Sequence, residues 1–279
     1  MQTRIDIYCS KDADSRFAEQ IRLWAEELIA SLTGEAMPSR VSIRLYYLID
    51  ELRTFFQQEK KALGVVSEGE AEFIATHEAW RGYPRIHICS ERTKDLSETV
   101  VQGAVQHELA HAILHGTPEF YTFRYSHHLI TAGKTLALDM PLLQQFVYLL
   151  SIALKDAQVI HKLAETGFES GQIALIEHML ADTHAERNVW DAIQTLPPQR
   201  KMAIALFMKI LLPVQALTRA APEVSHRLLR LWKNNYDWIG EENRRQMLRF
   251  AAETANGSDL PFQNWLEQSA LNLIADRRL

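Results

Sequence analysis

Two histidines four residues apart, His107 and His111, with Glu108 directly after the first, form the run His-Glu-x-x-His. On a helix, side chains at i and i+4 share a face and stand about 6 Å apart along the axis, so two imidazoles can aim nitrogens at one metal ion. Glu108 falls at the edge of that face. From there it can take a proton from a metal-bound water rather than bind the ion itself. The chemistry these residue types offer together is metal-assisted hydrolysis.

A helix must carry them. Val101, Val105, Leu109, Ala112 and Ile113 recur at helical spacing, roughly opposite the two histidines. This predicts a half-buried helix with His107 and His111 on its other side. Asp95 followed by Glu98 has the spacing of a capping box at its start, and Gly116 and Pro118 mark its end.

Two histidines need a third protein ligand, leaving a fourth position for water. The next helix is predicted over 141–165, with Leu149, Ile152, Ala153, Ile160 and Leu163 as its apolar face. Asp156 falls in the middle of that face. A buried carboxylate costs several kcal/mol unless it is paired, so Asp156 needs a partner. A metal, a histidine on the metal helix, or a buried Arg, Lys or backbone N–H would each serve. His161 and Glu165 are rivals on the polar side of the same helix. Glu177, His178, Asp182, His184 and Glu186 are further rivals on a helix expected over 170–193, where their abundance also fits a solvated face. His115 stands eight residues from His107, about 12 Å along a straight helix, which suits a capping or supporting role. After Pro118 comes an aromatic, irregular stretch able to return over a metal. In it Tyr121, Tyr125, His127 and His128 can each hydrogen-bond an oxyanion.

Upstream, Ile5 and Ile7 alternate with polar neighbours over 4–9, a strand signature. Asp12 or Asp14 can cap a helix to about Leu32, with Phe17, Ile21, Trp24, Ala25 and Leu28 inward and a break at Gly34 and Pro38. Val41, Ile43, Leu45 and Tyr47 alternate over a second strand. A helix to about Ala62 follows, then a turn rich in Gly and Ser, a strand over 71–77, the turn Arg81-Gly82-Tyr83-Pro84, and a strand over 85–89. The order β, α, β, α, β, β and then the metal helix predicts an α+β domain, a small mixed sheet packed on helices. This order resembles the layout of zincin catalytic domains, which have an edge strand just before the metal helix; by that resemblance Ile86-His87-Ile88-Cys89 would be an edge strand able to pair with an extended peptide.

The run from His107 to Gly116, preceded by a strand and followed by an acidic position on a later helix, resembles the zincin superfamily of metallopeptidases. Within it, the run most resembles small cytoplasmic gluzincin-like proteins and metallopeptidases of bacteria and archaea. The resemblance covers about residues 4–165, and its specific part is the pentapeptide. It implies that His107 and His111 ligate zinc (Zn2+) and that Glu108 is the general base. Asp156 stands where Glu is usual, and the Gly-Thr-x-x-Asp pattern of aspzincins is absent. The helix break of metzincins is absent too, since Ile113 and Leu114 occupy its place.

The chain has 279 residues and a net charge of −5, with charges interspersed and no basic stripe of the kind nucleic-acid binding needs. Cys9 and Cys89 lie in strand-like runs and read as buried thiols of a reducing compartment, with one disulfide as the alternative. The N-terminal residues lack the apolar run of a signal peptide. The longest apolar run, 202–214, contains Lys209 and Pro213 and is short for a bilayer span. The expected setting is soluble and cytoplasmic, with a peptide or protein substrate and neither nucleic acid nor membrane as partner.

Pro197-Pro198 divides the sequence into a catalytic domain, 1–196, and an all-helical C-terminal extension, 197–279. Four helices are predicted there, over 200–217, 222–235, 241–255 and 261–278, with Trp232, Trp238 and Trp265 supplying bulk. Arg227, Arg230, Arg244, Arg245 and Arg249 read as solvated faces. Besides a zinc peptidase, two readings remain: a zincin fold that binds metal without turnover, and an interaction protein with an incidental His-Glu-x-x-His.

Overall fold

The structure is a computed structural model describing residues 3–32, 36–64, 73–255, 257, 260–276 and 278–279. The expected break at Gly34, the Gly- and Ser-containing turn, and the first two residues of the strand expected over 71–77 lie outside the described residues. The chain is α+β, mainly helical, with one four-stranded mixed sheet among the described residues. Backbone contacts divide it into two compact units, Met1–Tyr121 with Thr166–Leu175, and Thr122–Glu165 with Ile176–Leu279. The expected boundary at Pro197-Pro198 falls inside the second unit, where both prolines sit in the first turn of a helix.

In the first unit, β1 (Arg4–Cys9), β2 (Arg40–Tyr46), β3 (Ala75–Glu78) and β4 (Arg85–Cys89) form the sheet in the order β1-β2-β4-β3. β1, β2 and β4 run parallel, and β3 is antiparallel to β4. The edge strand next to β4 is therefore β3. The expectation that β4 is the edge is corrected: a short turn lets 75–89 fold back on itself, while β4 also takes a parallel place beside β2. That turn closes at Gly82, whose φ of +80° favours glycine. Tyr47, expected inside β2, lies beyond its end and is exposed.

Three helices cover the sheet. α1 (Ser15–Ser31) is capped by Asp14, whose carboxylate accepts from Arg16 N–H, and buries Ile21, Trp24, Ala25 and Leu28. It packs with α4 (Glu98–Leu114), which also lies against β3 and β4. α2 (Ile49–Leu63) packs on β2 and β4, closing Leu52 and Phe56 against Tyr46 and Cys89. A short helix, α3 (Ser90–Thr93), links β4 towards α4. α4 starts after Ser97, whose hydroxyl accepts from Val100 N–H, not at Asp95. It is also not half-buried: Val100, Val101, Ala104, Val105, Leu109, Ala110, Ala112 and Ile113 are buried, and so are His107 and His111. A helix enclosed this way needs apolar residues on more than one stripe, which Ala104 and Ala110 supply.

In the second unit, α6 (Met140–Glu165) and α9 (Pro197–Ala220) pack along each other. α8 (His184–Ile193), α10 (Pro222–Asn235) and α11 (Glu241–Ala255) pack on α9, and α12 (Phe262–Ala275) packs on α5 (His127–Thr135) and α6. Trp190, Trp232 and Trp265 are buried, and buried Lys201 donates to the carbonyls of Leu273 and Asp276 at the end of α12. The helix expected over 170–193 is two helices: α7 (Glu169–Leu180) stops, and Asp182 accepts from His184 N–H to start α8. The apolar run of 202–214 belongs to a longer stretch. Pro197–Thr218 is long and apolar enough to cross a membrane by length and composition, and its most apolar part is mostly buried within the structure. Both cysteines are free; Cys89 is buried, whereas Cys9 is exposed.

Candidate metal centre

Strand alternation decides what reaches α4. His77 pairs with Ile86 across β3 and β4, so it shares the sheet face of Ile86 and Ile88 that α4 covers. Glu78 pairs with Arg85 and points to the opposite face. There Arg85, only 1% exposed, donates to Glu78 through Nε and to Glu59 through Nη2 at 2.7 Å. Arg81 donates to both oxygens of Glu59, at 2.8 and 2.9 Å. His87 and the N–H of Trp80 also hydrogen-bond Glu78. The Arg81 hydrogen bonds hold Glu59 at about 2, against the upward push of burial, with Arg85 assisting. Burial pushes Glu78 up, but His87, Arg85 and the Trp80 N–H outweigh it and hold the carboxyl below its ordinary value. Burial depresses His87, and Glu78 only partly offsets it. This network clamps a strand of only four residues in one register.

On the other face, the Nε2 atoms of His107 and His111 face each other at 3.0 Å, with their rings at 72°. Both histidines are buried. His107 Nδ1 is 3.0 Å from Oε1 of Gln172, a fully buried side chain on α7. Gln172 Nε2 donates to the carbonyl of Gly103 at 3.0 Å, which fixes its amide with the oxygen towards His107. A carbonyl oxygen only accepts, so His107 carries its proton on Nδ1 and presents the Nε2 lone pair. His111 Nδ1 is 3.0 Å from Nδ1 of His115, and the His115 ring stands edge-on to Phe120. His115 is the C-cap residue of α4, and its N–H donates to His111 O.

Gln172 reaches this position because α4 and the start of α7 meet backbone to backbone. A Cβ on Gly103 would stand 2.1 Å from the carbonyl oxygen of Gly171. No side chain fits there.

Glu108 lies beside this pair, mostly buried. Its Oε2 is 2.6 Å from Nδ1 of His77, whose Nε2 is 2.8 Å from the hydroxyl of Tyr121. The His77 ring stacks on that of His111, with centroids 4.6 Å apart and planes at 11°.

In the second unit, Asp156 is 8% exposed and sits within a stretch of α6, from Leu150 to Leu163, that is buried on nearly every side. Its rivals face solvent. His161 and Glu165 pair with each other at 3.2 Å across one turn, both partly exposed. Glu177 pairs with Arg227 at 2.9 Å. His178, Asp182 and His184 are exposed, and the break between α7 and α8 separates His178 from Asp182. His127 and His128 open α5 and are exposed, while burial pushes the Tyr125 phenol up.

His107 and His111 offer two imidazole nitrogens that could hold a divalent metal ion. Two neutral imidazoles are common zinc ligands, and nitrogens bound to one tetrahedral zinc stand about 3.3 Å apart. The 3.0 Å separation is close to that value. A proton between the two Nε2 atoms makes this a hydrogen bond, and a cation bound by both would take that proton's place. The Gln172 carbonyl orients His107 as outer-shell acceptors orient metal-ligating histidines. His77 and Gln172 are site residues that the residue pattern around the pentapeptide does not point to. Comparisons with protein-family models, with curated proteins and with solved structures found no match.

Proposed function

We propose that this chain is a zinc-dependent hydrolase of the zincin type, a metallopeptidase, with Glu108 as its general base. The observation that carries the reading is the facing pair of Nε2 atoms on His107 and His111, with the Nδ1 of His107 already committed to Gln172. Asp156 is the proposed third ligand. His107, His111 and Asp156 are each buried. A carboxylate buried in an apolar stretch favours a cationic partner.

A bound zinc ion would supply two things, a more acidic water and a polarised carbonyl. The chain's own residues supply the rest. Glu108 accepts a proton from the attacking water and passes it to the leaving amine, so one carboxylate serves both halves of amide hydrolysis. His107, His111 and Asp156 together carry one negative charge, leaving net positive charge on the loaded site to favour an oxyanion. β3, at the edge of the sheet beside β4 among the described residues, offers a backbone edge to an extended peptide. This supports a peptide as the substrate class. We further propose a cytoplasmic setting, in keeping with the two free thiols.

Glu108→Gln is the test. The variant keeps the ligands and is expected to retain zinc while losing hydrolysis of a peptide library that wild type cleaves. Retained hydrolysis would overturn the general-base assignment.

A further inference from the structure

His77 makes three directed contacts with this centre, and its neighbours leave it little freedom. Nδ1 lies 2.6 Å from Glu108 Oε2, Nε2 lies 2.8 Å from the Tyr121 hydroxyl, and the ring lies flat on His111. A carboxylate only accepts hydrogen bonds, so the proton between His77 and Glu108 is on Nδ1. In the neutral ring Nε2 is then an acceptor, and the Tyr121 O–H donates to it. Tyr121 and Glu108 thus select one tautomer between them.

The strand beneath is equally fixed. The next residue, Glu78, is locked to Arg85, His87 and the Trp80 N–H on the opposite face of the sheet. A slip of one residue would exchange the faces of His77 and Glu78 and break both sets of contacts at once.

We propose that His77 is the positioning residue of Glu108, a role that rests on the hydrolase reading above. Its Nδ1–H pins one carboxylate oxygen and leaves the other to act on water. Its stacked ring ties the place of the base to the place of the His111 imidazole. Tyr121 acts one step further out, by holding the His77 tautomer. A glutamate side chain is flexible, and catalysis through it depends on holding it in the productive geometry.

Three substitutions in the full-length, zinc-supplied protein separate the contacts. His77→Phe keeps the ring and removes both nitrogens. His77→Asn keeps an N–H donor near the place of Nδ1 and removes the ring. Tyr121→Phe removes only the hydroxyl. Long-range 1H–15N spectra of 15N-histidine protein read the tautomer directly, whatever the activity. Wild type should show His77 protonated on Nδ1, and Tyr121→Phe should show a mixture of tautomers. A wild-type His77 protonated on Nε2 would overturn the proposal.

For hydrolysis of the best-cleaved library peptide, His77→Phe should lower kcat by about 10- to 100-fold. KM should stay within about twofold, zinc content should be unchanged, and His77→Asn should recover part of the loss. An unchanged kcat in His77→Phe would contradict the role. Loss of zinc from His77→Phe would also contradict it, since His77 would then support the metal site and not the base. A wild type without zinc, or an active Glu108→Gln, would remove the hydrolase reading and the role with it. The tautomer spectrum would still report the His77–Glu108 contact separately.

Discussion

The Nδ1 of His107 and the Oε1 of Gln172 are 3.0 Å apart, and the Gln172 amide is held by the Gly103 carbonyl on α4 itself. The helix that carries the proposed ligand thus also anchors the group that orients it. Gln172→Leu keeps size and burial and removes the acceptor. Zinc affinity, measured by competition with a chromophoric chelator, is expected to fall about 10- to 100-fold. Unchanged affinity would mean that the ring is held by packing alone.

Gly103 is where α4 and α7 touch. Alanine is the better helix former by about 1 kcal/mol, but its methyl would stand 2.1 Å from Gly171 O. The contact is with backbone, which cannot swing aside, so the clash wins. Gly103→Ala is expected to lose on the order of 3 kcal/mol in urea denaturation. A variant as stable as wild type would show that the two backbones do not meet as described.

The clamp behind β3 gives an acid signature. Glu59 sits at about 2 in the folded chain, with Arg81 its chief partner, against an ordinary value of 4.5. A carboxyl held low in the folded state stabilises fully above its unfolded value, and that contribution is lost as pH falls from about 4.5 towards 2. Glu59→Gln should therefore flatten the stability profile over this window, by on the order of 2 kcal/mol between its ends. Its profile above pH 6 should parallel that of wild type. An unchanged acid limb would remove Glu59 from the clamp.

Local signals in the sequence carry much of this molecule. The alternation in Arg-Ile-His-Ile-Cys locates β4, Asp14 caps α1, and Pro222 opens α10 where expected. What stays hidden is what two distant segments do to each other. The edge position of β3 depends on β4 pairing with β2, which no periodicity reports. Gln172 lies 65 residues from His107 and is uncharged, so nothing in its type announces a role. The pairing of two helical glycines, Gly103 and Gly171, was the available signal. His77 was readable as a strand residue, but its partner is set by which face of β3 it occupies, and hence by the β3–β4 register. The break between α7 and α8 was signalled by Asp182-Thr183, a pair that favours a helix start. The enclosure of α4 on all sides was not legible, because small residues such as Ala104 and Ala110 fit both exposed and buried faces.

The proposed centre is a zinc ion held by His107, His111 and Asp156. The direct measurement is the metal content of protein purified without added metal, beside His107→Ala and Asp156→Ala. About one zinc per chain is expected in the wild type, with loss of it in both variants. Wild-type protein that holds no zinc, and takes none up when it is supplied, would rule the proposed centre out.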